Sequence, residues 1–212
     1  MPNISTLVDN FHTLDMGLWA DSYGDYSVEG GSANVRCQLA YAAMLTPNVW
    51  AFPDGDTLYV RVFPAVVGSG SPTECTTAVR INHGSTPGTD IGIMYDAVAN
   101  LLYFESRVDY WDASRTSVAF DSTNHAWWCL NRNSTTNFRF RTAPSSGSGP
   151  GTFTNRRTMT VPSWVNTRTD HRVILETHRN DANVGTAFFD GVNGATSSPT
   201  YVNNAKGFGA FF

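Results

Sequence analysis

Long helix-forming stretches are almost missing from this 212-residue chain. Lysine occurs once, as Lys206, against 13 arginines, and only 4 of the 18 acidic residues are glutamate. Lys and Glu are good helix formers, whereas Asp is a turn former, so their scarcity excludes a helical bundle and fits a chain with many loops. No apolar run approaches the ~20 residues of a membrane span, so no membrane span is expected. The opening MPNISTLVDNF has neither a basic segment nor an apolar one, so no secretory signal is expected. The protein then stays where it is made or leaves as part of a larger particle. The formal net charge is -4. That balance speaks against a nucleic-acid partner, which calls for a basic face. Arg156-Arg157 is the one adjacent basic pair and reads as a solvated strand edge.

Catalytic and metal motifs are missing too. Cys37, Cys75 and Cys129 form an odd set with no motif spacing, each inside a strand-like run. Buried free thiols are the first reading, with one cross-strand disulfide left open. His12, His83, His125, His171 and His178 show no HxH or HExxH spacing, and there is no CxxC, so no metal or other cofactor is expected. A structural calcium stays open at Asp54-Gly55-Asp56 or Asp90, without an EF-hand pattern, although a turn explains the first equally well. No GxSxG elbow supports a Ser-His-Asp triad. The glycines separate strand-like runs rather than opening a helix, which excludes a phosphate loop.

What is there is a series of short runs rich in Val, Ile, Tyr, Phe, Trp and Thr, punctuated by Gly, Pro, Asn, Asp and Ser. Such spacing marks an all-β, two-sheet antiparallel jelly-roll sandwich. YSVEGGSANVR predicts a hairpin bent at Gly30-Gly31, because a Gly pair reaches the positive φ of a tight turn. LAYAAML (39–45) has modest helix propensity but reads as strand because Pro47 follows. In TLYVRVF, Leu58, Val60 and Val62 alternate with Tyr59, Arg61 and Phe63, the period-two signature of opposite faces. ECTTAVRIN, TDIGIMY, LLYFESR, AWWCLNR, FRFR, RTMTV, HRVILET and VGTAFFDGV complete the strand series. ISTLVDNF alternates weakly, and APSSGSGPGTF (143–153) reads as a loop tip. Residues 1–193 then make one sandwich domain, with 194–212 as a tail. That tail ends FGAFF, and its Tyr201, Phe208, Phe211 and Phe212 are expected to dock on their own domain or a neighbouring subunit.

Two kinds of site can be weighed. Glycoside hydrolysis needs two carboxylates about 5–9 Å apart. Glu105 with Asp109 qualifies only if one strand runs unbroken through Arg107, and Tyr110-Trp111 speaks against that; Asp109 with Asp112 is the other pair. Solvated strand ends are the alternative, and the chain is not expected to be an enzyme. Carbohydrate binding needs an aromatic face beside charged or amide hydrogen bonders. Trp111 and Tyr110 with Arg107 and Asp109 form the best such cluster, with Tyr103 and Arg107 as members held on a strand. The competing reading of Trp111 is a plug under a loop. Trp127 and Trp128 must point to opposite faces, so one is core and the other lies under a loop or is exposed.

The chain also resembles a known group. LVDNFHTLDMGLW, with Asp9, Phe11, Leu14, Asp15 and Trp19, is similar to the start of concanavalin A-like lectin/glucanase modules, including the laminin-G-like kind. His125-Ala126-Trp127 followed by Phe138 and Phe140 resembles their middle, and AFFDGVN, with Phe189 and Asp190, their last strand. Such modules occur in minor tail and other virion proteins of actinobacteriophages. The resemblance implies a jelly roll whose terminal strands pair, and binding or assembly more than catalysis, since the glucanase E-x-D-x-x-E motif is missing. It implies a virion location, as a minor tail or adhesin-like component with glycan binding, or else a capsid decoration protein. A free carbohydrate-binding module or a glycoside hydrolase-like enzyme are the alternatives. The implied partners are other virion proteins, further copies of the chain in a homo-oligomer, and a host surface glycan.

Overall fold

A computed structural model describes residues 1–84, 86–167 and 169–194. A single 3-10 turn, Ile4–Thr6, opens the chain. The strands follow as β1 (Asp25–Glu29), β2 (Ser32–Cys37), β3 (Ala40–Leu45), β4 (Thr57–Phe63) and β5 (Cys75–Asn82). Next come β6 (Asp90–Asp96), β7 (Leu101–Arg107), β8 (Thr116–Ala119), β9 (Trp127–Arg132) and β10 (Asn137–Ala143). The short β11 (Ser145–Ser146) and β12 (Gly149–Pro150) precede β13 (Thr154–Thr160), the one-turn helix α1 (Ser163–Thr167), β14 (Arg172–Arg179) and β15 (Gly185–Val192). Two antiparallel sheets face each other. One has seven strands in the order β1-β2-β15-β4-β9-β10-β13, the other six in the order β3-β14-β5-β6-β7-β8.

Period-two alternation creates this arrangement. In β4, Leu58, Val60 and Val62 are buried while Thr57, Tyr59, Arg61 and Phe63 are half-buried on the other side. In β14, Val173 and Leu175 point into the core and Arg172, Ile174, Glu176 and His178 share the outer face. One continuous apolar core joins both inner faces, from Ile4, Phe11 and Trp19 through Ile81, Phe104 and Phe140 to Phe189. Gly30 and Gly31 both have positive φ (60° and 81°) at the β1–β2 turn, as the hairpin reading requires.

Three local readings change. The 4–11 segment is no strand: it forms the 3-10 turn and touches the sheets through single bridges, Asn3 to Ala51 and Asp9 to Val192. Among the described residues the last strand, β15, pairs with β2 of the first hairpin in a ladder, while Asp9 adds a single bridge to Val192. The 143–153 loop folds into the β11–β12 hairpin, whose Ser145 Oγ accepts a hydrogen bond from Trp127 Nε1 at 3.1 Å. Trp127 is therefore buried under that hairpin, and Trp128 is the core member. The three cysteines are buried and free. Among the described residues no helix is long and apolar enough to cross a membrane. Residues Tyr201, Phe208, Phe211 and Phe212 lie outside the described residues.

Candidate functional site

The outer face of the six-stranded sheet carries a charged floor. Register sets Arg80 of β5 opposite Gly92 of β6, and Gly92 opposite Glu105 of β7. A Cβ on Gly92 would stand 2.7 Å from Arg80 Cγ and 2.9 Å from the Val79 carbonyl, so glycine leaves the room in which Arg80 lies flat. Arg80 Nη1 donates to Glu105 at 2.7 Å and to Asp90 at 3.1 Å, and Nε donates to Glu176 at 2.7 Å. Arg107 binds Asp90 through two nitrogens, at 3.0 and 2.6 Å. Arg80, Asp90 and Glu105 are all buried. Although burial opposes its charge, the Asp90, Glu176 and Glu105 carboxylates raise the Arg80 pKa, so the guanidinium is permanently charged.

Aromatic residues stand around this floor. The four exposed aromatic side chains among the described residues are Tyr23 (46%), Tyr41 (54%), Tyr110 (63%) and Trp111 (67%). Tyr23 extends the sheet edge through a bridge to Ala43, which pairs with Glu176. Tyr41 pairs with His178 and stacks on its ring at 3.8 Å. Burial and then the Glu176 charge push both phenols up; the phenols of Tyr41 and Tyr110 act further on that of Tyr23. Tyr23 and Tyr41 thus stand near Glu176, on the pairs Ala43–Glu176 and Tyr41–His178. Burial pulls the His178 imidazole below its ordinary value, so it is neutral at pH 7 and offers Tyr41 a flat partner rather than a cation.

A strained turn delivers the last two aromatics. Val108 and Trp111 bridge each other, and the residues between them, Asp109 and Tyr110, have φ of 52° and 66°. Two successive positive φ values define a type I′ turn, which non-glycine residues adopt at a cost. The Tyr110 N–H donates to the Gly88 carbonyl, and its ring lies where a Gly88 Cβ would be, 2.6 Å away. The turn interrupts β7 after Arg107, so Glu105 and Asp109 do not share a strand. Asp112 is buried elsewhere, accepting from Arg157 at 2.8 Å and from the Ser106 N–H.

Of the cluster read from sequence, the fold thus brings Arg107 and Tyr110 to the floor, sets Asp109 in the turn, and leaves Trp111 exposed as the bridge partner of Val108, whose parity on β7 is opposite to that of Arg107. Tyr103 lies on the same outer face of β7, covered by the Arg115 guanidinium at 4.4 Å. Sequence reasoning missed Arg80, Glu176, Tyr23 and Tyr41, and singled out Asp90 only as a calcium position. The calcium positions are already engaged: Asp54 pairs with Arg132 at 2.7 Å, Asp56 accepts from the Ser5 N–H, and Asp90 holds two arginines. Among the described residues no group of three metal-ligating side chains occurs.

Comparison with protein-family models and with curated proteins finds no match. Solved structures do match. The endo-1,3-β-glucanase of Streptomyces sioyaensis superimposes with a TM-score of 0.60 at 13% identity, over 88% of this chain and 94% of that one. A glycosyl hydrolase family 16 protein of Mycobacterium smegmatis gives 0.57 at 13%, over 88% and 98%. The CBM2 module of the evolved Dit of Lactobacillus casei BL23 phage J-1 gives 0.51 at 9%, over 88% and 95%.

The chain has the concanavalin A-like sandwich fold.

Within this concanavalin A-like sandwich the opening signature is one folded clamp. Asp9 Oδ2 accepts from Trp19 Nε1 at 2.7 Å, Asp9 Oδ1 accepts from the Phe11 N–H at 2.7 Å, and the Phe11 and Trp19 rings lie 5.9 Å apart. Asp15 Oδ1 accepts from the N–H groups of Gly17 and Leu18, closing the turn before Trp19. These residues lie away from the charged floor and serve the fold.

Proposed function

We propose that this chain is a carbohydrate-binding module whose site is the outer face of the six-stranded sheet. The observation that carries the reading is that three of the four exposed aromatic side chains among the described residues, Tyr23, Tyr41 and Tyr110, stand there, over a floor of charged groups fixed in place. Large exposed aromatics are costly in water unless a partner covers them. Sugar rings present a flat apolar C–H face and a hydroxyl edge. Tyr23, Tyr41 and Tyr110 meet the first, and Arg107, Glu176 and the phenol groups meet the second. The floor holds two arginines against three carboxylates, Asp90, Glu105 and Glu176. That balance favours neutral or N-acetylated sugars over sulfated or uronic ones.

Binding is favoured over hydrolysis by the position of Arg80. A glycosidase brings two carboxyl groups to opposite sides of the scissile bond. Here the Arg80 guanidinium occupies the space between Asp90, Glu105 and Glu176, where a glycosidic oxygen would have to enter. The likeness to glucanases is one of fold, and a fold alone does not carry an activity.

The setting we favour is a phage virion, with the module as a minor tail or adhesin-like component that contacts host glycan. The fold-level likeness to the phage J-1 Dit module supports this setting. The test is a glycan array of neutral, N-acetylated, uronic and sulfated oligosaccharides. Binding concentrated in the first two classes, and weakened about fivefold by Tyr41→Ala or Tyr110→Ala, supports the reading, since one aromatic contact is worth about 1 kcal/mol. Binding to none of them, or binding indifferent to both substitutions, refutes it.

A further inference from the structure

The seven-stranded sheet ends in two open edges. At one end β1 pairs only with β2, and at the other β13 pairs only with β10. The Val161 N–H donates to the Thr136 carbonyl at 3.1 Å. Bonding alternates along an antiparallel ladder, so Met159 also faces β10, while Thr158 and Thr160 turn their N–H and C=O groups away from it. The two-residue turn at Gly30-Gly31 sets the same count on β1. Glu29 and Ser32 form the bonded pair that closes the hairpin, so Tyr26 and Val28 point their backbone groups outward. None of these four outward residues has a further backbone partner among the described residues. β13 is seven residues long, with neither proline nor lysine to blunt it, and such an edge is a template for another strand.

Charge divides between the same two edges. Residues 122–169, which supply β9, β10 and β13, contain six arginines and no acid, in a chain whose net charge is -4. On the outer face, Arg139 of β10 lies beside Thr158, half-buried and without an ion pair among the described residues. β1 brings Asp25 and Glu29 to that face at the far end of the sheet. Their side chains are 67% and 63% exposed and share one cation, Arg36, at 3.4 and 3.5 Å. Pairing β13 with a second β13 sets arginines against arginines, and pairing β1 with a second β1 sets acids against acids. Only unlike edges attract.

We propose that β13 of one copy takes β1 of a second copy as its next strand, so that the chain assembles head to tail through this sheet. Six antiparallel steps separate β1 from β13, so the two strands run in the same direction and the new pair is parallel. Arg139 then lies two strand spacings, about 9–10 Å, from the acids of the incoming β1, and the small Thr158 between them lets the guanidinium reach across. On the inner face, Tyr26 and Val28 of the incoming strand continue the apolar layer past Met159. The contact joins unlike surfaces and therefore repeats, giving a ring where the rotation closes and a filament where it does not. The proposed glycan site lies on the other sheet, so this inference and the carbohydrate reading can each fail without the other.

The test is sedimentation velocity on the intact chain over a dilution series. The expected result is a mass that rises above one copy with concentration and falls back with added salt. Thr158→Pro and Val28→Pro each remove one outward N–H and spare the bonds inside the sheet, a change that edge strands tolerate. With its Tm close to that of the parent, each variant should be a monomer alone. Mixed, they should form a one-to-one dimer and nothing larger, because each keeps the edge the other has lost. Glu29→Lys should weaken association about tenfold, and Glu29→Lys with Arg139→Glu, which swaps the sign at both edges, should restore it. A parent that stays monomeric at every concentration overturns the proposal. So does association that survives Thr158→Pro, because the contact then lies on another surface. A mixture of the two proline variants that stays monomeric or grows past a dimer also overturns it, as does association indifferent to Glu29→Lys.

Discussion

Replacing Asp190 by asparagine should stabilise the protein at neutral pH, although it breaks an ion pair. Asp190 sits on β15 with its side chain 2% exposed, and Arg61 Nη1 approaches Oδ2 at 3.4 Å. Its other oxygen, Oδ1, has no partner among the described residues. Burial raises the carboxyl and Arg61 lowers it; burial wins, and the group is pushed up to about 6 from an ordinary 3.8. A carboxyl raised in the folded state binds its proton more tightly there than in the unfolded chain. Its contribution is therefore most favourable below about pH 4 and is lost as pH rises through about 6. The full difference corresponds to about 3 kcal/mol against the folded state at pH 7. An asparagine side chain at this position carries no charge to desolvate, while Arg61 loses its counter-charge. The net expectation is a gain of about 2 kcal/mol at pH 7 and almost none at pH 4. Urea unfolding of both proteins at half-unit steps from pH 4 to 7.5 measures this. A variant less stable than the parent at pH 7 would show that the Arg61 attraction outweighs burial, and the argument would fail.

Three further outcomes are expected. Arg80→Met removes the cation shared by Asp90, Glu105 and Glu176, two of them buried, and should cost about 3–5 kcal/mol in urea unfolding; a cost under 1 kcal/mol would mean that Arg107 alone suffices. Trp19→Phe keeps an aromatic ring but removes the second ring of the buried indole and strips the Nε1 donor from Asp9, and should cost about 2–4 kcal/mol, read as a drop in Tm; an unchanged Tm would dismiss the clamp. The thiols should resist labelling by Ellman's reagent in the native state at pH 8. Burial pushes Cys75 up to about 11 and Cys129 up to about 12, and raises Cys37 as well, so rapid native-state labelling would contradict the core described here.

The sandwich was legible because its cause is local. A strand with one face in the core must alternate, and TLYVRVF, FRFR and HRVILET do so within single segments. LAYAAML shows the same logic: read as strand, it sets Ala42 and Met44 inward, as found, although its propensity leans towards helix. The 4–11 segment misled because weak alternation also fits a 3-10 turn that buries Ile4 and Leu7 while its backbone meets isolated partners.

The site was half legible, for the opposite reason. Arg107, Asp109, Tyr110 and Trp111 are neighbours in the chain, so composition alone assembled them. The floor is built across β14, β5, β6 and β7, and its members come from four segments between residues 80 and 176. No spacing rule within one segment joins Arg80 to Glu176. A signal did exist. In CTTAVRIN, inward residues Thr77, Val79 and Ile81 leave Arg80 on the outer face, and an arginine there among apolar neighbours demands an acid across the sheet. Gly92 in DIGIMYD is a second trace, since a strand-interior glycine marks a close approach by something bulky. The parity that points Met44 inward turns Tyr41 outward. What no parity argument supplies is register, and register decides that Gly92, rather than Met94, lies beside Arg80. Had Met94 stood there, the guanidinium could not lie flat, Glu105 and Asp90 would lose their shared cation, and the aromatics would have no fixed floor to stand around.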